Sequence, residues 1–143
     1  MQLSEHFTLE EMTFSDTAQR HGIDNLPDDH ELENLKLSAA KMELVRNLLS
    51  IPISVTSAYR NWRVNELIGG VSTSSHCNGL AVDFKPIGLD HYEAAKKIEA
   101  SGLQYDQLIL EYGWIHLGFG PQMRRESLTK KSASSPYQKG LIN

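Results

Sequence analysis

Residues 105–119, YDQLILEYGWIHLGF, contain two short apolar runs on either side of Tyr112-Gly113. Each run has the length of one β-strand, and a glycine in a two-residue connection is typical of a hairpin turn. In this hairpin Glu111 pairs with Trp114, and His116 lies diagonally across from Glu111 on the same face. The opposite face is then wholly apolar, which supports the hairpin, because it collects Leu108, Leu110, Ile115, Leu117 and Phe119.

A second stretch, residues 76–84 (HCNGLAVDF), brings a histidine and a carboxylate towards one point. His76 falls on a loop, Gly79 lets the chain reverse, and Asp83 lies on the strand that follows, opposite that strand's large apolar residues. His116 could supply a third ligand, and three such ligands with an open fourth position suit a catalytic zinc. From spacing alone, both histidines could equally be surface or hydrogen-bonded core residues, and Asp83 a turn acid.

The rest of the chain predicts helices that pack on a small sheet. Thr8 with Glu11 and Asp28 with Glu31 fit capping boxes, and the second opens a long amphipathic helix that ends before Pro52. Residues 53–57 alternate as a strand, whereas residues 61–68 and 89–100 predict two shorter helices that end at glycines. Helices on one side of a small, mainly antiparallel sheet form an α+β fold.

Composition limits the domain count and the class of protein. A chain of 143 residues with 40% hydrophobic content predicts one domain and a monomer. No apolar run approaches the roughly 20 residues that cross a bilayer, and the first residues lack a secretory signal. We therefore expect no membrane insertion and synthesis in the cytoplasm. A thiol catalyst is disfavoured, because Cys77 and His76 point apart in extended chain.

The charge composition of the last 24 residues differs from that of the rest of the chain. The formal net charge is −4, yet residues 120–143 hold five Lys or Arg and one acidic residue. An acidic body argues against nucleic acid as a partner. The Ser/Lys/Gly-rich composition predicts a folded domain over residues 1–126 and a basic, flexible tail over residues 127–143.

Four motifs occur in order along the chain. They are Ser57-Ala58-Tyr59-Arg60, Gly69-Gly70, Ser74-x-His76-x-x-Gly79-x-Ala81-x-Asp83-Phe84 and Trp114-x-His116-x-Gly118. Together they resemble one family, the zinc D-alanyl-D-alanine carboxypeptidases. That family includes the vancomycin-resistance D,D-dipeptidases and phage endolysin peptidases, and it shares its core fold with the hedgehog signalling domain. The resemblance runs from about Leu3 to Arg125 and is strongest to the short phage and prophage members.

The resemblance implies roles for individual residues. His76, Asp83 and His116 are then the ligands of one catalytic Zn²⁺, and Arg60 and Ser74 bind the substrate. A guanidinium such as that of Arg60 can grip a peptide carboxylate or take part in catalysis by steadying an oxyanion. The alternatives are that Arg60 forms a surface ion pair and that the Ser74 hydroxyl bonds its own backbone.

The general base is the point where this sequence departs from the family. Many members carry the catalytic carboxylate three residues before the last histidine, and here that position is Gly113. Glu111 is the available acid, and the hairpin places it on the same face as His116. Asp106 competes, but its parity points it towards the core side or a strand end. The sequence therefore predicts Glu111 as the catalytic base.

The resemblance implies hydrolysis of peptide bonds in peptidoglycan peptides, by a D,D-carboxypeptidase or a cell-wall endopeptidase. Without a secretory signal, such an enzyme would act on the wall after release or delivery by a phage. The alternative is a zinc-stabilised, non-catalytic component that binds the wall or belongs to a virion. Glu111 favours the enzyme, because structural zinc sites usually close with four protein ligands and need no neighbouring acid.

Overall fold

The computed structural model describes residues 1–143 and has an α+β fold, as predicted. Six strands form one sheet in the order β1-β2-β4-β3-β5-β6. A short 3₁₀ helix at Ser75–Asn78 precedes β2. The α-helices are α1 (Leu9–Thr13), α2 (Asp16–Arg20), α3 (Asp29–Leu49), α4 (Trp62–Leu67) and α5 (His91–Ala100). The strands are β1 (Ile53–Ser57), β2 (Ala81–Pro86), β3 (Gln107–Leu110), β4 (Ile115–Gly118), β5 (Glu126–Thr129) and β6 (Gln138–Lys139).

The hairpin predicted around Tyr112 and Gly113 is confirmed. Leu110 of β3 lies opposite Ile115 of β4, and the backbone N–H of Glu111 donates to the carbonyl of Trp114 at 3.0 Å. Gly113 adopts a φ of 119°, which side chains rarely tolerate. All strand pairs are antiparallel except β3 with β5.

The core lies between the sheet and the two longest helices. α5 packs on β2 and β3, and α3 packs on α5. The apolar face of the hairpin points into this core, as its sequence pattern predicts. Removing each such side chain from water contributes about 1.5–3 kcal/mol. The buried side chains of α3 that join the core are Leu35, Ala39, Met42, Val45 and Leu49.

Local signals place the helix starts correctly. Both predicted capping boxes form, and Asn61 and Asp90 cap α4 and α5. The sequence analysis did not predict α2 or the 3₁₀ helix, each of which is little more than one turn long. None of the helices combines the length and the hydropathy that a bilayer crossing requires.

The predicted boundary after residue 126 falls inside β5, so the C-terminal segment is part of the sheet. β5 pairs in parallel with β3 and antiparallel with β6. The backbone N–H of Lys130 donates to the carbonyl of Leu110 at 2.9 Å, which continues the ladder past the strand end. The sequence does not predict β5, because a four-residue strand is too short to show a period and its partner strand lies far away along the chain.

Gly79 fixes the turn that joins the 3₁₀ helix to β2. Its φ is 76°, and a Cβ placed there would lie 2.7 Å from the carbonyl oxygen of Glu31 in α3. Its own carbonyl accepts a hydrogen bond from the Ser38 hydroxyl at 2.7 Å. The turn therefore packs directly on the backbone of α3, and only glycine fits.

We expect Gly79→Ala to lower the free energy of unfolding by about 3 kcal/mol or more, because left-handed strain and a backbone clash add together. Gly88→Ala is the matched control: Gly88 has a φ of 87°, but a Cβ added there would meet nothing within 4 Å. Gly88→Ala should lower the free energy of unfolding by only about 1–2 kcal/mol. Urea unfolding of both variants measures the difference, and equal losses would contradict the clash.

Candidate active site

Three side chains with metal-binding atoms meet on one side of the sheet. The register of β2 and β4 places Asp83 directly opposite His116, and Nδ1 of His116 lies 2.9 Å from Oδ1 of Asp83. Nε2 of His76 lies 3.3 Å from the same oxygen. The ring centroids of the two histidines are 5.1 Å apart. The structure therefore brings together all three residues that the sequence analysis selected as metal ligands.

Hydrogen bonds to Ser74 and Ala58 hold His76 and orient its ring. Ser74 caps the 3₁₀ helix that carries His76, because its hydroxyl accepts from the backbone N–H of His76 at 3.2 Å. Nδ1 of His76 lies 2.6 Å from the carbonyl oxygen of Ala58. A carbonyl only accepts, so Nδ1 carries the proton and Nε2 keeps its lone pair for the site.

Burial and charge set the protonation of this group. Burial lowers the pKa of His76, which favours the neutral imidazole. Burial alone would raise the pKa of Asp83, but its interactions with His76 and His116 hold that pKa well below its usual range. The site thus holds an ionised carboxylate beside a neutral imidazole, the protonation states that a divalent metal requires.

Arg60 lies at the same site, but not in an ion pair. Its Nη2 donates to the Ser74 hydroxyl at 3.3 Å, and its Nε is buried without a hydrogen-bond partner. The surface ion pair considered as an alternative is therefore wrong, since no carboxylate lies within 4.0 Å of the guanidinium. The Ser74 hydroxyl bonds its local backbone, as the alternative predicts, and it also contacts Arg60.

Asn25 holds the segment around Arg60, and the sequence analysis missed it. Its Nδ2 donates to the carbonyls of Thr13 and Tyr59, and its Oδ1 accepts from the backbone N–H of Asn61. Asn25 is therefore bonded to both chain neighbours of Arg60 and is itself buried. A single asparagine in a loop carries no periodic or motif signal that could have revealed this function.

Glu111 faces the same cleft as the two histidines. Its Oε2 accepts from the indole N–H of Trp114 at 3.0 Å, and no hydrogen bond involves its Oε1. Burial raises the pKa of Glu111, and the charge of Asp83 adds to the increase, whereas His116 opposes it. Glu111 therefore has a free carboxylate oxygen and a raised proton affinity beside the candidate metal ligands.

One cleft of about 770 Å³ connects these groups. Trp114 forms part of its wall, and Cys77 does not line it. Burial raises the pKa of the Cys77 thiol, which also disfavours a thiolate catalyst. The cleft is lined by the predicted site residues Arg60, Ser74, His76, Asp83, Glu111 and His116.

Comparison with known protein families gives one assignment. The family model described as Peptidase M15 matches residues 5–118, which include all the residues of this site. The chain belongs to the Peptidase M15 family. No curated protein matches the chain. Membership of this family makes the chain a metallopeptidase, and M15 peptidases are zinc-dependent.

A second cluster of potential ligands in this M15 peptidase has another explanation. Glu5, His6 and Glu43 also lie close together. Both carboxylate oxygens of Glu43 are already engaged, since they accept from the Ser4 hydroxyl and from the backbone and ring nitrogens of His6. This cluster ties the N-terminal segment to α3, and it lies outside the cleft.

Asp106, the competing acid, lines the same cleft, and both of its carboxylate oxygens accept hydrogen bonds. Its two oxygens accept from Nε and Nη2 of Arg124 at 2.8 and 2.9 Å, and Oδ1 also accepts from the Arg124 backbone. These hydrogen bonds lower the pKa of Asp106. A carboxylate with a fixed guanidinium partner is a weak proton acceptor, so the geometry favours Glu111 as the base.

We expect Asp106→Asn to destabilise this M15 peptidase near neutral pH, because it replaces the paired carboxylate. A folded-state pKa below the unfolded value stabilises the fold above the unfolded value, and this contribution disappears as pH falls through the folded pKa. The difference between the wild type and the variant should therefore be present at pH 6 and shrink below about pH 4. Urea midpoints measured across this range test it, and a constant difference would contradict it.

Proposed function

We propose that the protein is a zinc-dependent hydrolase of peptide bonds in peptidoglycan, with the metal held by His76, Asp83 and His116. The observation that carries the proposal is the convergence of these three ligands in one cleft with the free carboxylate oxygen of Glu111. A metal and an adjacent proton acceptor are the two parts that metal-assisted amide hydrolysis needs.

The three residues fit a catalytic zinc. Their ligand atoms all lie within 4.8 Å of one another, and no fourth His, Cys, Asp or Glu joins the group. Two imidazoles and one carboxylate form the open three-ligand set of catalytic sites, and the Ala58 carbonyl supplies the outer hydrogen bond that orients His76. When bound there, zinc would act as a Lewis acid and lower the pKa of coordinated water to ~7.

Glu111 is the proposed general base. Trp114 holds its Oε2, which leaves Oε1 to accept a proton from the attacking water and return it to the leaving amine. Its raised pKa suits this exchange, because a base works best when its pKa approaches the working pH. Asp106 has no equivalent free oxygen, since Arg124 engages both of its atoms.

Arg60 is the proposed substrate-binding group, with Ser74 as its partner. An unpartnered, buried Nε is costly unless a ligand satisfies it, so the guanidinium is prepared for an anionic or carbonyl oxygen. Burial lowers the pKa of Arg60, but a guanidinium remains charged at neutral pH. A substrate carboxylate or the oxyanion of the attacked carbonyl would meet this need.

The family and the lining of the cleft support this substrate class. Peptidoglycan peptides carry free carboxylates, which suit the guanidinium of Arg60 in a cleft lined mostly by polar residues. The proposal covers D,D-carboxypeptidase and cell-wall endopeptidase activity, in an enzyme of the phage or prophage type. Mass spectrometry of a peptidoglycan digest assigns the bond, because each activity releases a different fragment.

The purified protein should contain one zinc ion per chain. His76→Ala and Asp83→Ala should each lose the metal, because a two-ligand site binds zinc weakly. His6→Gln is the matched control, since it removes the ring from the second cluster and should keep one zinc. Elemental analysis and chelator titration measure both. Active protein without zinc, or zinc loss in His6→Gln alone, would refute the assigned ligands.

Glu111→Gln should keep its zinc and lose turnover by ~10² to 10⁴-fold, because the amide preserves size but accepts no proton. Asp106→Asn is the matched control and should retain most of the turnover at a temperature where it is folded. Turnover of muropeptides and zinc content are measured on the same samples.

Each other outcome of this comparison has a distinct meaning. Loss of turnover in Asp106→Asn alone would move the base to Asp106. Loss of zinc in Glu111→Gln would make Glu111 a fourth ligand and favour a structural site. Zinc-loaded wild-type protein that binds peptidoglycan without cutting it would support the non-catalytic alternative, a wall-binding or virion component.

A further inference from the structure

The C-terminal segment forms one wall of the cleft. Lys130, Ala133 and Tyr137 line the same cleft as the candidate metal ligands. All three lie beyond residue 118, where the match to the family ends. This wall is therefore a feature of the present chain that the family assignment does not describe.

Lys130 is fixed in this wall by three contacts. Its backbone N–H donates to the carbonyl of Leu110 at 2.9 Å, which places it beside the strand end that leads into Glu111. Its Nζ donates to the carbonyl of Ser135 at 2.6 Å and lies 4.5 Å from the centroid of the Tyr137 ring. A cation over an aromatic face is stabilised there, so the ammonium has a defined position.

The Lys130 ammonium forms no salt bridge in the protein. Glu111 lies near enough to interact with it electrostatically, but no carboxylate lies within 4.0 Å of Nζ, and Oε2 of Glu111 bonds Trp114 instead. An ammonium has three N–H donors, and the Ser135 carbonyl takes one of them. Lys130 therefore presents unused donors and a positive charge without a salt-bridge partner at the wall of the cleft.

We propose that Lys130, held by Tyr137, is a second substrate-positioning group that binds a carboxylate of the peptide substrate on the Glu111 side of the cleft. The inference rests on the proposed peptidase function and adds an anion-binding position to that of Arg60. Peptidoglycan peptides carry more than one free carboxylate, so two separate cations suit one substrate. Tyr137 acts through Lys130, because its ring contacts the ammonium.

The test compares peptides that differ by amidation of one carboxylate at a time, with zinc-loaded full-length protein. Lys130→Met keeps length and removes charge. It should raise KM about 10- to 100-fold for one carboxylate peptide and leave the matching amide unchanged, because a charge-assisted hydrogen bond is lost. The value of kcat should stay near that of the wild type. Lys130→Arg should restore KM, and Tyr137→Leu should raise it by a smaller factor.

Lys131→Met is the matched control. Lys131 is the next residue, but its ammonium donates to the carbonyl of Ile142 and does not line the cleft. It should leave KM unchanged for every peptide. Thermal melts of all variants show whether a change reflects folding. An equal rise of KM for acid and amide peptides, or an unchanged KM in Lys130→Met, overturns the inference.

Titration calorimetry in the Glu111→Gln background separates this inference from the proposed function. If the wild type cuts no peptide but Lys130→Met still weakens binding of the acid peptide alone, the peptidase proposal fails and the carboxylate position stands. If the wild type cuts normally and the affinity does not depend on Lys130, only the inference fails.

A shifted pH profile of kcat with unchanged KM would show that Lys130 tunes the pKa of Glu111, and it would overturn the proposed role in substrate binding. Absence of any peptide binding would also overturn the inference.

Discussion

The antiparallel register between β2 and β4 sets Asp83 directly opposite His116, and the site is built around that pair. If one strand shifted by one residue, its ligand side chain would turn into the core and its apolar residues would face the cleft. The apolar faces of the two strands prevent such a shift, because they are buried against the helices. Hydrophobic burial on one face of the sheet therefore fixes the polar geometry on the other.

Backbone carbonyls and one buried amide then complete the arrangement. The Ala58 carbonyl sets the tautomer of His76, and Asn25 bonds both neighbours of Arg60. Gly79 lets the His76 turn lie directly on α3. These contacts connect the N-terminal helices to the cleft, so the helical layer positions functional groups as well as covering the core. Arg60, His76 and Asp83 each form a hydrogen bond to a residue at least 14 positions away along the chain.

The C-terminal segment also positions a side chain in the cleft through strand pairing. β5 adds a parallel strand beside β3, and this pairing brings Lys130 next to the end of the hairpin that carries Glu111. Net charge alone describes this segment as a basic tail. We infer a different use of that charge for Lys130, which lines the cleft, whereas Lys131 bonds the carbonyl of Ile142.

The sequence by itself determined the α+β class, most helix boundaries and the three candidate metal ligands. The fold class and the helices depend on caps and periodicity, and the ligands depend on strand parity together with the resemblance to a known family. It also predicted Glu111 as the candidate base, because a two-residue turn fixes which hairpin residues share a face. Only the tertiary structure placed Asn25 beside Arg60 and Lys130 in the cleft, since their partners lie in other parts of the fold. Contacts between such distant residues leave no period or spacing in the sequence, because packing of the whole chain creates them.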